Sequence, residues 1–390
     1  MVIGASILQL PAILKAKQMG HTVAVVDYNP QAVGIPFADT YYNASTMDED
    51  AVLNAAMEFQ PDGIMTLATD MPMRGVAKTS DRMHLHSISY DTAVRATDKY
   101  EMIQAFKRHG VPSPWYYKID SLTDLQNICN QIEYPCIMKP TDNAGSHGVV
   151  LVHTPQELIS QYEYSHQCAR HGRVIVEQYL DGSEVSVEIM VVNHQIHILQ
   201  ITDKLTTGAP YFVELGHSQP SQLPFDQQEQ IKHIAQMACE AVGIQTGPAH
   251  VEIKVTTQHG PMMIELGARM GGDNITTHLV PLSTGIDMVE GTIRLALGES
   301  PNITPALQQA SAIRYFQASE GTLSDITGVE KAKAIPGVKE ITFTKSIGEK
   351  VSPIRCSNDR IGSVIAQAKT PQEAIRICEQ AIQTISIHLK

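Results

Sequence analysis

The chain has 390 residues, enough for two or three domains with substantial cores. A formal charge of −12 argues against nonspecific nucleic-acid binding, and no uninterrupted apolar run is long enough to span a membrane. Six cysteines, at 129, 136, 168, 239, 356 and 378, form no C-x-x-C pair or zinc spacing, so they are expected to be reduced thiols in a cytoplasmic protein.

Residues 1–96 alternate strand and helix. Val2-Ile3-Gly4 reads as the end of a strand rather than a signal peptide, so a clipped or unusually short start is expected. Leu10–Met19 is expected to be a helix, Thr22–Asp27 a strand, Asp48–Phe59 a helix and Gly63–Leu67 a buried strand. This order predicts a parallel sheet. The turn Gly4-Ala5-Ser6 resembles a Rossmann turn without G-x-G-x-x-G, and Asp27 lies where a ribose-binding acid would be. A substrate or vestigial role suits this region better than dinucleotide binding.

Thr97–His109 reads as a helix with Lys99 in its first turn, and Pro112 and Pro114 mark a boundary after it. Strands follow at 136–139, 149–152, 174–178, 185–191 and 196–201, with one helix near 155–171, a pattern of antiparallel sheet. Asp226–Val242 is a helix that Asp226 is expected to cap, with Glu229 completing a capping box. A helix near 286–297 follows, and residues after about 305 form an α+β unit ending in the helix 371–385.

Three stretches carry chemistry. Ala249–Lys254 and Met263–Arg269 read as a hairpin around Gln258-His259-Gly260-Pro261. It sets Glu252 beside Glu265, with Glu252 facing away from Val251 and Ile253 and Glu265 away from Ile264 and Leu266, and two carboxylates in apolar strands call for a cation such as Mg²⁺. Lys139 ends a strand, before a loop whose glycines and small polar residues let N–H groups close over phosphate. It is not a Walker A loop. Between Val174 and Val185, backbone groups of Gln178, Tyr179 and Leu180 suit a purine edge, and Glu184 suits ribose hydroxyls. The bland alternatives are exposed acids on a sheet edge, a snorkelling lysine and a plain turn at Asp181-Gly182.

Lys99, then Lys139 with its loop, then Glu177 and Glu184, then Glu252 and Glu265, in that order and spacing, resemble the ATP-grasp superfamily. The resemblance implies an ATP-grasp fold, α/β and α+β, with a Rossmann-like pre-ATP-grasp domain at 1–96. The grasp would occupy 97–303, with a lid at about 112–180, and a C-terminal α+β subdomain 304–390. Asn358–Ile365 followed by Thr370–Ala374 is similar to the C-terminal part of biotin carboxylase. The resemblance implies that Lys99, Lys139, Ser146, His147 and Gly148 meet ATP phosphates. It places adenosine on Glu177, Gln178, Tyr179, Leu180 and Glu184, and Mg²⁺, or Mn²⁺, on Glu252 and Glu265. Many members have Glu-x-Asn as the second metal motif, but residue 267 is glycine, which leaves Asn274 as the candidate third ligand.

Gly267–Asn274, with Glu214-Leu215-Gly216-His217 upstream, looks like the L-amino acid ligase branch, including bacilysin-type dipeptide synthetases. There Arg269 would steady an acyl phosphate, and Glu214 and His217, in a segment before Pro220 expected as coil, would line the amino-acid pocket. Asp273 stands where the bacilysin enzyme has a bulky aromatic, which implies a different substrate preference. The expected activity is ATP-dependent carboxylate–amine ligation of small molecules through an acyl phosphate, by a homodimer as in many relatives. The rivals are a purine-pathway or carbamoyl-phosphate-synthase-like enzyme, and a non-catalytic ATP-binding regulator.

Overall fold

The structure, a computed structural model, describes residues 1–143, 147–170 and 172–390. Its N-terminal strands Val2–Ile3, Ala24–Asp27 and Thr40–Asn43 form a parallel sheet in that spatial order. Ala24–Asp27 is buried throughout, as a covered parallel strand must be. The strand expected at 63–67 shrinks to a single bridge between Met65 and Val2. The Thr66 hydroxyl donates to the Ile3 carbonyl, the acceptor that the next ladder bond would use.

Helix Lys99–Arg108 begins at Lys99 because the Asp98 carboxylate accepts the N–H groups of Tyr100 and Glu101. A four-stranded antiparallel sheet follows, in the order Tyr116–Ile119, Val174–Gln178, Cys136–Pro140, Val150–Val152, with helix Pro155–Cys168 packed on it. The largest sheet has eight antiparallel strands. Its order is Gly260–Gly267, Gly247–Thr256, Ser183–Val192, Gln195–Thr206, Glu214–Gln219, Ala310–Tyr315, Gly362–Ala368 and Val338–Phe343. The α/β and α+β expectation holds.

Strand periodicity explains how this sheet serves a site. Val185, Val187, Ile189, Val251 and Ile253 face the core, against Ile231, Ala235 and Ala238 of helix Phe225–Val242. The alternate positions, Glu184, Ser186 and Glu188 on one strand and His250, Glu252 and Lys254 on the next, lie together on the other face.

Four expectations are corrected. Helix Phe225–Val242 starts one residue early, behind Pro224, which has no side-chain acceptor; Asp226 lies inside the first turn and caps nothing. Residues 214–219, expected as coil, form a strand because neighbouring ladders on both sides capture a segment of weak propensity. The chain continues past the helix Pro371–Thr384 into strand Ser386–Leu389, which pairs with Gly321–Thr327. Ile264, expected to face away from Glu265, lines the same cavity as Glu265, since the ladder slips between Glu252 and Ile253.

Candidate active site

A cavity of about 330 Å³ opens between the four-stranded sheet and the polar face of the large one. Glu252 and Glu265 stand directly opposite each other in their strands, both half-buried. Lys99 Nζ donates to Glu265 Oε1 at 2.8 Å and to the Asn143 carbonyl at 2.9 Å. Burial lowers the proton affinity of Lys99, but Glu265, with Asp70 and Glu177, raises it overall, so the ammonium stays charged.

Lys139 lies 2.5 Å from Glu177, and both are almost fully buried. Gln178, Tyr179 and Leu180 line the cavity just past the end of strand Val174–Gln178. His147 also lines it, whereas Gly148 shapes the loop: at φ +80° a β-carbon there would lie 2.7 Å from Pro140 and Cys168. Ser146 lies outside the described residues.

Lys204, which sequence reasoning missed, is the cationic hub. Its ammonium is 2.5 Å from Glu184, 3.4 Å from Glu252 and 3.6 Å from Glu214, with a side chain only 3% exposed. Lys254 takes the other Glu184 oxygen at 3.1 Å. Burial pushes the Glu252 carboxyl up, but Lys204 and the His250 N–H pull it well below the usual carboxylate range. Burial opposes the charge on Lys204 too, yet the three carboxylates raise it well above an ordinary lysine.

His250, also missed, bridges two carboxylates. Nδ1 is 2.8 Å from Glu188 Oε1 and Nε2 is 3.2 Å from Glu252 Oε1. Burial disfavours its charge, but Glu188 carries its pKa up to about 9. The other Glu188 oxygen is buried without a hydrogen-bond partner among the described residues.

The Arg269 guanidinium grips Asp70 with two hydrogen bonds, of 3.1 and 2.8 Å. A β-carbon on Gly267 would lie 2.7 Å from Asp70 Oδ1 and 2.9 Å from Arg269 Cζ. The glycine at 267 therefore makes room for this pair. Asp70 follows Ala68, held at φ +64°, a strained conformation for alanine.

At the far end, Asp273 receives two bonds from Arg360, at 2.7 and 2.8 Å, and lies 3.4 Å from His217 Nε2. Arg360 also stacks 3.9 Å over the Tyr315 ring. Burial raises the Asp273 carboxyl, but His217 and Arg360 hold it far below the usual range. His217 Nδ1 is buried without a hydrogen-bond partner among the described residues, while Glu214 lines the cavity beside it. Asn274 follows Asp273 at φ +61° and is not among the residues lining the cavity.

The donor chemistry suits Mg²⁺. Two carboxylates lie side by side, and no cluster of three or more metal-ligating side chains occurs among the described residues. Mg²⁺ commonly takes one or two carboxylates and completes its shell with phosphate oxygens and water. Asp27 offers no ribose site. Its carboxylate is buried and already accepts the N–H groups of Ala5 and Asn29.

Among the missed residues, His250 left a signal, sitting two positions before Glu252 on the same strand face, and Arg360 lies within the stretch similar to biotin carboxylase. Asp70, Glu188, Lys204 and Arg360 reach the site through pairings between distant segments.

Residues 132–278 match the ATP-grasp domain, and residues 314–390 match the L-amino acid ligase C-terminal domain 2. An alanine–anticapsin ligase of Bacillus subtilis is 26% identical over 263 residues, covering 62% of this chain and 55% of that ligase. A formate-dependent phosphoribosylglycinamide formyltransferase of Sulfurisphaera tokodaii is 24% identical, covering 96% of this chain and 93% of that enzyme. The L-amino acid ligase of Bacillus licheniformis superposes with a TM-score of 0.87 at 23% identity, covering 100% of this chain and 98% of that one. The class is that of ATP-dependent ligases forming carbon–nitrogen bonds. Within it the chain carries an ATP-grasp domain and an L-amino acid ligase C-terminal domain.

Proposed function

We propose that this protein joins the carboxylate of one amino acid to the amine of another, forming a dipeptide-type amide through an acyl phosphate. The observation that carries this reading is the far end of the cavity. Arg360, from the region matching the L-amino acid ligase C-terminal domain, reaches Asp273 beside Glu214 and a His217 nitrogen without a hydrogen-bond partner among the described residues.

In the proposed reaction a carboxylate oxygen attacks the γ-phosphorus of ATP, and the bond to ADP breaks. The amine nitrogen then attacks the acyl carbon, and phosphate leaves with the electron pair of the carbon–oxygen bond. The ammonium gives up two protons overall, one before attack and one after. Gln178–Leu180 and Glu184 are proposed to hold adenosine, and Lys99, Lys139, His147 and Gly148 to face the phosphates. Mg²⁺ or Mn²⁺, when bound on Glu252 and Glu265, supplies charge neutralisation and orients phosphate oxygens. Arg269, preset by Asp70, stabilises charge on the transferred group. Ser146 and Asn274 stay secondary candidates, for phosphate and metal. The division at 96 and 303 is proposed as the working domain plan.

A second reading has a specific basis, since this chain aligns over 93% of the formyltransferase's length. In that case formate would be the activated carboxylate and a ribonucleotide amine the acceptor. One screen tests both: ADP and phosphate release with MgATP and pairs of the twenty L-amino acids, or formate or bicarbonate with ribonucleotide amines. Release requiring two amino acids, a dipeptide mass in the product and loss in Glu265→Gln support the first reading. Release with formate alone replaces it, and tight ATP binding without turnover on any pair leaves the regulatory rival.

A further inference from the structure

A second cavity, of about 240 Å³, lies against the first and shares Asp70, Lys99, Asn143 and Glu265 with it. Its other walls come from the N-terminal region, with Met47, Met71 and Arg74, and from Arg170 on the four-stranded unit. The volume is below the roughly 300–1,000 Å³ of a drug-sized ligand's pocket, so a small molecule fits and a nucleotide does not.

Arg74 is the unspent group here. It is half-buried, its Nε donates to the Thr97 hydroxyl at 2.7 Å, and its two terminal nitrogens have no partner among the described residues. A half-buried guanidinium whose outer fork is unused suits a carboxylate, which it can hold with two parallel bonds. Arg170 lines the same cavity. Burial lowers its pKa, Asp142 raises it in part, and the Arg74 charge lowers it again, so the two guanidiniums feel one another. The shared wall, by contrast, presents the carboxylates of Asp70, paired with Arg269, and Glu265, paired with Lys99, whose remaining lone pairs can accept from an ammonium. Met71 and Met102 add apolar surface, and Met47 stands 52% exposed at the edge.

We propose that this second cavity seats the amine substrate, an α-amino acid whose carboxylate is held by Arg74 and whose amine faces the shared wall with the main cavity. This rests on the ligase reading and goes beyond it, because it assigns the two substrates to different cavities and gives the acceptor its recognition residue. The free carboxylate distinguishes an amino acid from a simple amine, and the methionines favour acceptors with an unbranched apolar side chain.

The test is a comparison of Arg74→Gln and Arg74→Lys with the wild-type full chain, using acceptor amino acids and the same amino acids as amides. Arg74→Gln is expected to raise the acceptor KM by roughly 10- to 100-fold for the acids. It should leave the amide acceptors, the donor KM and the ATP KM within about twofold, with Arg74→Lys recovering part of the loss. Equal effects on acid and amide, or a rise in the donor KM, would overturn the assignment. Calorimetric titration of L-alanine, L-methionine and their amides into the protein with MgADP gives a readout independent of turnover. If no substrate pair releases ADP, the ligase reading fails by itself. Saturable amino-acid binding that Arg74→Gln abolishes then still supports the cavity. No saturable binding, equal binding in the variant, or displacement by inorganic phosphate overturns it.

Discussion

Lys204→Met removes an ammonium that lies within 3.6 Å of three carboxylates while keeping most of the side-chain stem. The loss is therefore one of charge rather than packing. Stripping one partner from a buried ion pair costs about 3–5 kcal/mol. The lower end applies, because Glu184 keeps Lys254 at 3.1 Å and Glu252 keeps His250 at 3.2 Å. A loss of about 3 kcal/mol corresponds to a Tm drop of roughly 5–10 °C by scanning calorimetry at pH 7. The pH dependence follows from the direction of each shift. The Glu184 and Glu252 carboxyls are depressed, chiefly by Lys204 acting against burial. Their share of the stability is present above the unfolded value near 4.3 and is lost as pH falls through the lower folded values. The Lys204 pKa is raised, so its share is complete below about 10.4 and is lost only as pH climbs through the folded value. The gap between wild type and variant should hold from about pH 5 to 10 and narrow below about pH 4. A Tm unchanged at pH 7, or a gap that widens in acid, would refute the reasoning.

Gly267→Ala should push apart the Asp70–Arg269 pair, since its new carbon falls within 2.9 Å of both. A loss in kcat of about 10²-fold, with MgADP affinity kept, is expected from steady-state kinetics and titration. His250→Gln cuts one of the two bonds that aim Glu252, so Mn²⁺ affinity measured by electron paramagnetic resonance with ADP should weaken by about 10–100-fold. Wild-type affinity in that variant would deny His250 a positioning role. Arg360→Ala leaves Asp273 with His217 alone, and a rise of about 10-fold or more in a substrate KM, with the ATP KM unchanged, is expected from initial rates.

Local chemistry carries far along this chain. The hairpin that carries Glu252 and Glu265 is readable because apolar alternation and a Gly-Pro turn specify a strand pair, whereas the slip between Glu252 and Ile253 that sets the two glutamates directly opposite is not. Lys99 at a helix start and Lys139 at a strand end were readable for similar reasons, one being a cap and the other a change of period. The Glu214–Gln219 strand was not, because Glu-Leu-Gly-His-Ser-Gln has no strong preference of its own and takes its conformation from strands Gln195–Thr206 and Ala310–Tyr315.

The sequence by itself determined most of the elements, the ATP-grasp resemblance and the hairpin that carries the two glutamates, since each depends on residues close together in the chain. Tertiary structure alone decided that Lys204 would neutralise Glu252, that Asp70 would hold Arg269 across the space Gly267 leaves, and that Arg360 would close on Asp273. Those pairs join positions 48, 199 and 87 residues apart (252 − 204, 269 − 70 and 360 − 273). Electrostatic partnership in a buried cleft depends on distance in space and on exclusion of water, and neither is encoded in spacing along the chain.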